Sequence, residues 1–205
     1  MRSAVTAPRR GRPPAASRDD VLAAALRRYL RGRRIDVQSI AAELGLGRST
    51  VYRWFESREG LVGEVVVRAA EPVLAEARAA ATGTGAAALL DAFDRINRAF
   101  AAAPALRTFL EQERDALRIL TSSAGVVQPR MVELVTAMIE DEVDAGSFDP
   151  PADPATLGYA IVRLAEAFLY NDADGMRGDV DRLREVEAAL LGIGRAQSGG
   201  GTDER

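Results

Sequence analysis

The residues best suited to chemistry crowd into one short stretch: Arg48, Ser49, Thr50, Tyr52 and Arg53. That chemistry is recognition rather than catalysis. An arginine donates in a fork to guanine or clamps a phosphate, hydroxyls bond base edges or phosphates, and a tyrosine hydroxyl reaches the sugar-phosphate backbone. Val51 and Phe55 lie four residues apart and supply a buried seam for the helix that carries these groups, which turns the polar side chains outward.

The element that must position this helix precedes it. Val37, Ile40, Ala41 and Leu44 recur at helical spacing behind Asp36, a residue suited to cap a helix N-terminus. Gln38 and Glu43 fall on the wet face, and Gln38 joins the candidate DNA contacts. Gly45 ends the first helix, because the sharp turn there needs a left-handed backbone that glycine reaches without steric penalty. Leu46 then plugs the turn into the core. Two short helices joined in this way have the layout of a helix-turn-helix, whose second helix reads bases near its N-terminus. A solvated amphipathic helix pair satisfies the same spacing, so the rest of the chain must arbitrate.

Charge supplies one check. The chain of 205 residues carries a net charge of -3, yet residues 1–60 hold 13 Arg against 6 acidic residues, leaving 14 against 24 for the remainder. A basic first part on an acidic second part fits a DNA-facing domain carried by a regulatory body. A bracing helix is expected from Ser17 to Leu30, with Ser17 as cap, Asp19 and Asp20 in the first turn, and Val21, Leu22, Ala25, Leu26 and Leu30 inward. Ahead of it, Arg9-Arg-Gly-Arg-Pro-Pro14 reads as an extended basic arm. Arg10 and Arg12 are its candidate contacts to a narrow A·T-rich minor groove. A merely solvated basic tail is the other reading, and both add salt-dependent affinity.

The composition argues against an enzyme. The chain has no Cys, no His and no Lys. It therefore lacks disulfides, thiolate metal sites, the commonest general base, the Schiff-base nucleophile and the usual transition-metal ligand. No catalytic residue, metal site or cofactor is assigned, and a carboxylate-only site would have to be built from Glu111, Glu113 and Asp115. No run of apolar residues is long enough to span a membrane, so a cytoplasmic location is the expectation.

Residues 17–62 resemble the DNA-binding domain of the TetR family of bacterial regulators. The resemblance rests on Gly45-Leu-Gly-Arg-Ser-Thr-Val-Tyr-Arg-Trp-Phe55-Glu-Ser57-Arg58-Glu-Gly-Leu61. By position it implies that Thr50, Tyr52 and Arg58 are phosphate-contacting or positioning residues and that Arg48, Ser49 and Arg53 read the groove. Gly47 stands where the family usually caps the recognition helix with Ser or Thr, and Trp54 where His or Tyr is common. Glycine is only slightly poorer than serine at that cap.

Beyond Ser57 the pattern is helical almost throughout, predicting an all-α protein. A long helix is expected over 58–80, bent by Pro72. Others are expected over 86–102, 104–121, 126–145, 154–171 and 179–194. The resulting division is a basic arm (1–16), a helix-turn-helix domain (17–62), a ligand-binding and dimerisation domain (63–197) and a flexible tail (198–205). The family resemblance implies a homodimer formed by the last two helices, a double-stranded operator and a small-molecule effector. Leu157, Ile161, Leu164, Ala165 and Phe168, with Leu183, Val186, Leu190 and Ile193, form two stripes suited to a four-helix interface, or to burial inside one subunit.

For the effector, the apolar candidates are Phe93, Ile96, Phe100, Phe109, Leu110, Leu117, Met131, Leu134, Met138 and Tyr159. The polar candidates are Arg114, Gln128, Arg130, Arg163, Glu166 and Asn171, with an ion pair between Arg163 and Glu166 as the plain structural account of those two. Most such stripes are plain core. Leu120-Thr-Ser-Ser-Ala-Gly-Val-Val-Gln-Pro-Arg130, with Tyr159-Ala-Ile-Val-Arg-Leu-Ala-Glu-Ala-Phe-Leu-Tyr170, resembles a narrower group, the QsdR-type regulators of quorum-signal lactone degradation. That likeness implies a ligand with a lactone head or an acyl chain, its carbonyls bonded by arginines and Gln128.

Overall fold

The computed structural model describes residues 16–170 and 178–194. Within them the chain forms ten helices and no strand. They are α1 (Arg18–Leu30), α2 (Val37–Glu43), α3 (Arg48–Phe55), α4 (Arg58–Ala80), α5 (Gly85–Ala102), α6 (Pro104–Gln112), α7 (Ala116–Thr121), α8 (Val127–Asp144), α9 (Pro154–Tyr170) and α10 (Val180–Leu190). Local chemistry explains most of their ends. Ser17 and Asp20 form a reciprocal capping box on α1, with the Ser17 N–H donating to Asp20 at 2.7 Å and the Asp20 N–H to Ser17 Oγ at 3.2 Å. Asp36 accepts from the Ser39 N–H at 2.9 Å to start α2, and Gly45 closes it at φ 66°. Ser57 caps α4 by accepting from the Gly60 N–H at 2.9 Å.

The largest departure from the expected helices lies at 104–121, where one helix becomes two. Glu113 is extended and buried at the end of α6, and its carboxylate is held by Arg58 of α4. The helical pattern continues through this point, but the chain kinks to deliver the acid to its partner. A smaller departure is α10, which stops at Leu190, with Gly192 at φ 75° just beyond. The helix α4 runs as one element through the exposed Pro72.

Two cores share α4. The first joins α1, α2, α3 and the N-terminal half of α4 to Leu106 and Phe109 of α6, Ile119 and Leu120 of α7, and Val127 of α8. The second joins the C-terminal half of α4 to α5, α8, α9 and α10. The expected boundary at 62/63 therefore falls inside a continuous helix, and the small N-terminal bundle is packed against α6 and α7 of the body. Gly158 brings α8 and α9 together, since a Cβ there would lie 3.2 Å from the Thr136 backbone.

Candidate DNA-reading surface and ligand cavity

α2 and α3 form the angled pair. Val51 and Phe55 are buried, at 1% and 3% exposure, which fixes the rotation of α3 about its axis. That rotation leaves Arg48, Ser49, Tyr52 and Arg53 exposed and Thr50 half-buried, with Gln38 exposed on α2. Gly47 sits at the N-cap with no side-chain bond to the helix. Trp54 packs half-buried against the first core rather than standing free. Behind α3, the Arg18 guanidinium lies 4.6 Å from the centre of the Phe55 ring and pairs with Glu64. Gly60 permits the tight α3–α4 corner, because a Cβ there would lie 2.2 Å from the Phe55 carbonyl oxygen.

Arg58 has the contacts of a positioning residue, one of the two roles its place in the motif implies. It is turned inward, donating from Nε to the Ile35 carbonyl at 3.2 Å and from Nη2 to Glu113 at 2.5 Å. Its hydrogen bond and charge hold the Glu113 carboxylate below the usual carboxylate range, and Glu113 raises the arginine in return. Arg58 is thus a strut between the α1–α2 connection, α4 and the end of α6. Sequence reasoning passed over Arg31, Arg33 and Arg34, all exposed, which share a concave surface with Ser39 at the start of α2. The run Arg27-Arg28 followed by Arg31-Gly-Arg33-Arg34 was the available signal. Arg10, Arg12 and Asn171 lie outside the described residues.

The body holds two neighbouring apolar cavities. One, of about 60 Å³, is lined by Phe93, Ile96 and Asn97 of α5, by Met131 of α8, by Ile161 and Glu166 of α9 and by Glu187 of α10. The other, of about 290 Å³, lies among α1, α4 and α5 and is lined by Tyr29, Val66, Ala69 and Pro104. Phe100, Leu120, Val127, Met131 and Tyr170 border both. Of the nominated lining, Phe93, Ile96, Phe100, Met131 and Glu166 come together here.

The remaining nominations among the described residues fall elsewhere. Leu117 and Tyr159 are 50% and 51% exposed, and Arg114 is exposed. Arg163 points outward, bonding Glu166 at 2.8 Å and the Thr121 carbonyl at 3.0 Å. Phe109 belongs to the first core, edge-on to Tyr29 at 6.0 Å, with Leu110 beside it. Met138 and Leu134 belong to the second core, and Gln128 is buried away from both cavity linings. Helical spacing placed each on an apolar stripe or among apolar neighbours, but packing decides which face of that stripe meets a void. The same holds for the expected dimer stripes: Leu157, Ile161 and Leu183 are buried within the protomer, while Val186 is 42% exposed.

Of the polar groups that border the first cavity, Glu166 was among the nominations, whereas Asn97 and Glu187 were not. Asn97 is buried and its Nδ2 donates to Glu187 Oε1 at 2.9 Å. Glu187 is fully buried, its Oε2 has no hydrogen-bond partner among the described residues, and burial pushes its carboxyl up to about 7. Burial also raises Glu166, against the opposing pull of Arg163. The one available signal for Glu187 was its place on the same helical face as Leu183 and Leu191, an acid where an apolar residue belongs.

A family model described as the tetracyclin repressor-like C-terminal domain matches residues 84–192, more than half of the chain, and one for the helix-turn-helix domain of resolvase matches residues 11–58. No curated protein matches. Among solved structures, the transcriptional repressor QsdR of R. erythropolis, from the TetR family, is 27% identical. The match covers 87% of this chain and 95% of that one, with a TM-score of 0.80. The TetR-family repressor AlkX from Dietzia sp. strain DQ12-45-1b, implicated in biodegradation of n-alkanes, shares the fold at 22% identity, covering 86% and 96% of the two chains with a TM-score of 0.61. Among the described residues no helix is long and apolar enough to cross a membrane. With its helix-turn-helix reader packed on a helical body, the chain belongs to the TetR family of transcription regulators and is not an enzyme.

Proposed function

We propose that the protein is a homodimeric repressor released from a palindromic operator by a small, mainly apolar molecule, with residues 17–62 as reader and 63–197 as body. The observation that carries this reading is the larger cavity, because its wall includes Tyr29 of α1 itself. A molecule filling that space pushes directly on the reader's bracing helix. Tyr29 against Phe109 and Arg58 against Glu113 then tie the same helix bundle to α6. The ligand must bind the DNA-incompetent arrangement more tightly, since equal affinity for both would shift nothing.

Arg48, Ser49 and Arg53 are the proposed base readers, Thr50, Tyr52 and Gln38 the backbone contacts, and Arg10 and Arg12 a further source of phosphate or minor-groove affinity. Pairing of two copies through the outer faces of α9 and α10, where Tyr159 and Val186 are exposed, would set two recognition helices about 34 Å apart on successive major-groove turns. A lactone head remains compatible with the likeness to QsdR, although Arg114 and Arg163 lie away from the cavities.

The test is selection of bound sequences from random duplex DNA at near-physiological salt, followed by ligand release from the enriched duplex. A palindrome with half-sites one turn apart is expected. Enrichment of A·T-rich tracts alone, with no ligand release, would instead make the protein an architectural binder working through its arm.

A further inference from the structure

Glu187 combines full burial with an oxygen, Oε2, that has no hydrogen-bond partner among the described residues. It lies on α10 at 0% exposure and faces a cavity walled by α5, α8 and α9. A buried oxygen with an unmet bond is destabilising, so its persistence in a cavity wall points to a guest that meets the bond. Asn97 already donates to the other oxygen.

The chemistry of the guest follows from the rest of the lining. A second carboxyl, Glu166, borders the same space, and no arginine does. Asp94 adds negative charge toward Glu187, and Arg184 offsets it only in part. Phe93 and Phe100 also line the cavity, and aromatic rings attract cations at their faces. A carbonyl or carboxylate presented to Oε2 would set lone pairs against lone pairs whenever Glu187 is ionised.

We infer that this cavity takes an organic cation, an ammonium nitrogen on an apolar body, with the nitrogen donating to Glu187 Oε2 and the body lying among Phe93, Phe100 and Met131. The inference rests on the ligand-responsive reading and names its effector class. Phe100 and Met131 separate this space from the larger cavity, which they also border. Because the acid must be ionised to pair with the cation, binding strengthens as pH rises through the Glu187 titration at about 7.

Calorimetry on the full-length protein tests this with n-hexylammonium, hexan-1-ol and γ-octalactone as probes. The expected result is binding of hexylammonium at least about tenfold tighter than hexan-1-ol, as a charge-assisted bond to a buried acceptor requires. Its affinity should rise between about pH 6 and about pH 8 while that of the alcohol stays flat. In Glu187→Gln the preference should shrink to within about twofold. If that variant fails to fold, the pH series on the unaltered protein decides. Alcohol or lactone binding as tightly as the amine, without pH dependence, overturns the cation assignment, as does binding of none of the three. Release of the selected operator by a neutral probe would meanwhile leave the regulator reading standing.

Discussion

Three acids are buried among the described residues, and two of them, Glu113 and Glu187, have opposite surroundings. Glu113, at the seam between reader and body, is 7% exposed in its side chain and answered by an arginine at 2.5 Å. Glu187, in the middle of the body, is answered by a neutral amide on one oxygen and by nothing among the described residues on the other. The seam acid is held ionised and the cavity acid is pushed toward its neutral form. A completed charge pair makes a rigid joint, whereas an incomplete one leaves a place for a ligand to complete. The first suits transmission between domains and the second suits sensing.

Breaking the joint should have the largest effect. Arg58→Ala leaves Glu113 buried without its cation and should cost about 3 to 5 kcal/mol in denaturant unfolding. Joint replacement by Arg58→Met and Glu113→Leu should recover most of that loss, because no charge is then stranded. The same single change should weaken DNA binding evenly across sequences, since it loosens the reader's attachment rather than a base-reading side chain.

The pH dependence of stability separates the two acids by sign. Glu187 titrates at about 7 when folded and near 4.5 when unfolded, so the folded state holds the extra proton between those values. Its contribution is complete below 4.5 and is lost as pH rises through 7, about 3 kcal/mol in all. Glu113 is depressed below its ordinary value, so its contribution is present above 4.5 and lost as pH falls through its lowered folded value. Melting curves across this range should show Glu187→Gln flattening the loss on the alkaline side and Glu113→Gln flattening the loss on the acid side. Parallel profiles for the two variants would end the contrast.

Smaller effects belong to the exposed reader, where no charge is buried. Arg48→Ala should cost about 2 kcal/mol on the preferred operator and little on random duplex, measured by competition binding. Ser17→Ala removes the α1 capping box and should lower stability by about 1 kcal/mol without altering base preference.

The reader was legible because its determinants are local. Ser17, Asp36 and Gly45 act on backbone groups within a few residues, and Val51 with Phe55 sets which side of α3 is outward. Between contacting and positioning, the role of Arg58 was left open because its partner lies 55 residues away at the end of α6, where the helix expected over 104–121 is interrupted. In the body, Phe93 and Met138 carry equivalent signals in the sequence, yet only Phe93 meets a void. Glu187 and Asn97 are 90 residues apart, and neither is conspicuous until the fold pairs them.

The sequence by itself determined the all-α class, the helix-turn-helix and its outward polar face, and the absence of histidine, lysine and cysteine chemistry. Helix caps, glycine turns and the 3.6-residue period act over a few residues, so they can be read along the chain. Tertiary structure alone decided that Arg58 faces inward, which apolar side chains border a cavity, and that a carboxyl of α10 stands in one with an oxygen unpartnered among the described residues. Those outcomes depend on how helices distant in sequence are packed, and burial acquires its electrostatic consequences only once that packing has excluded water.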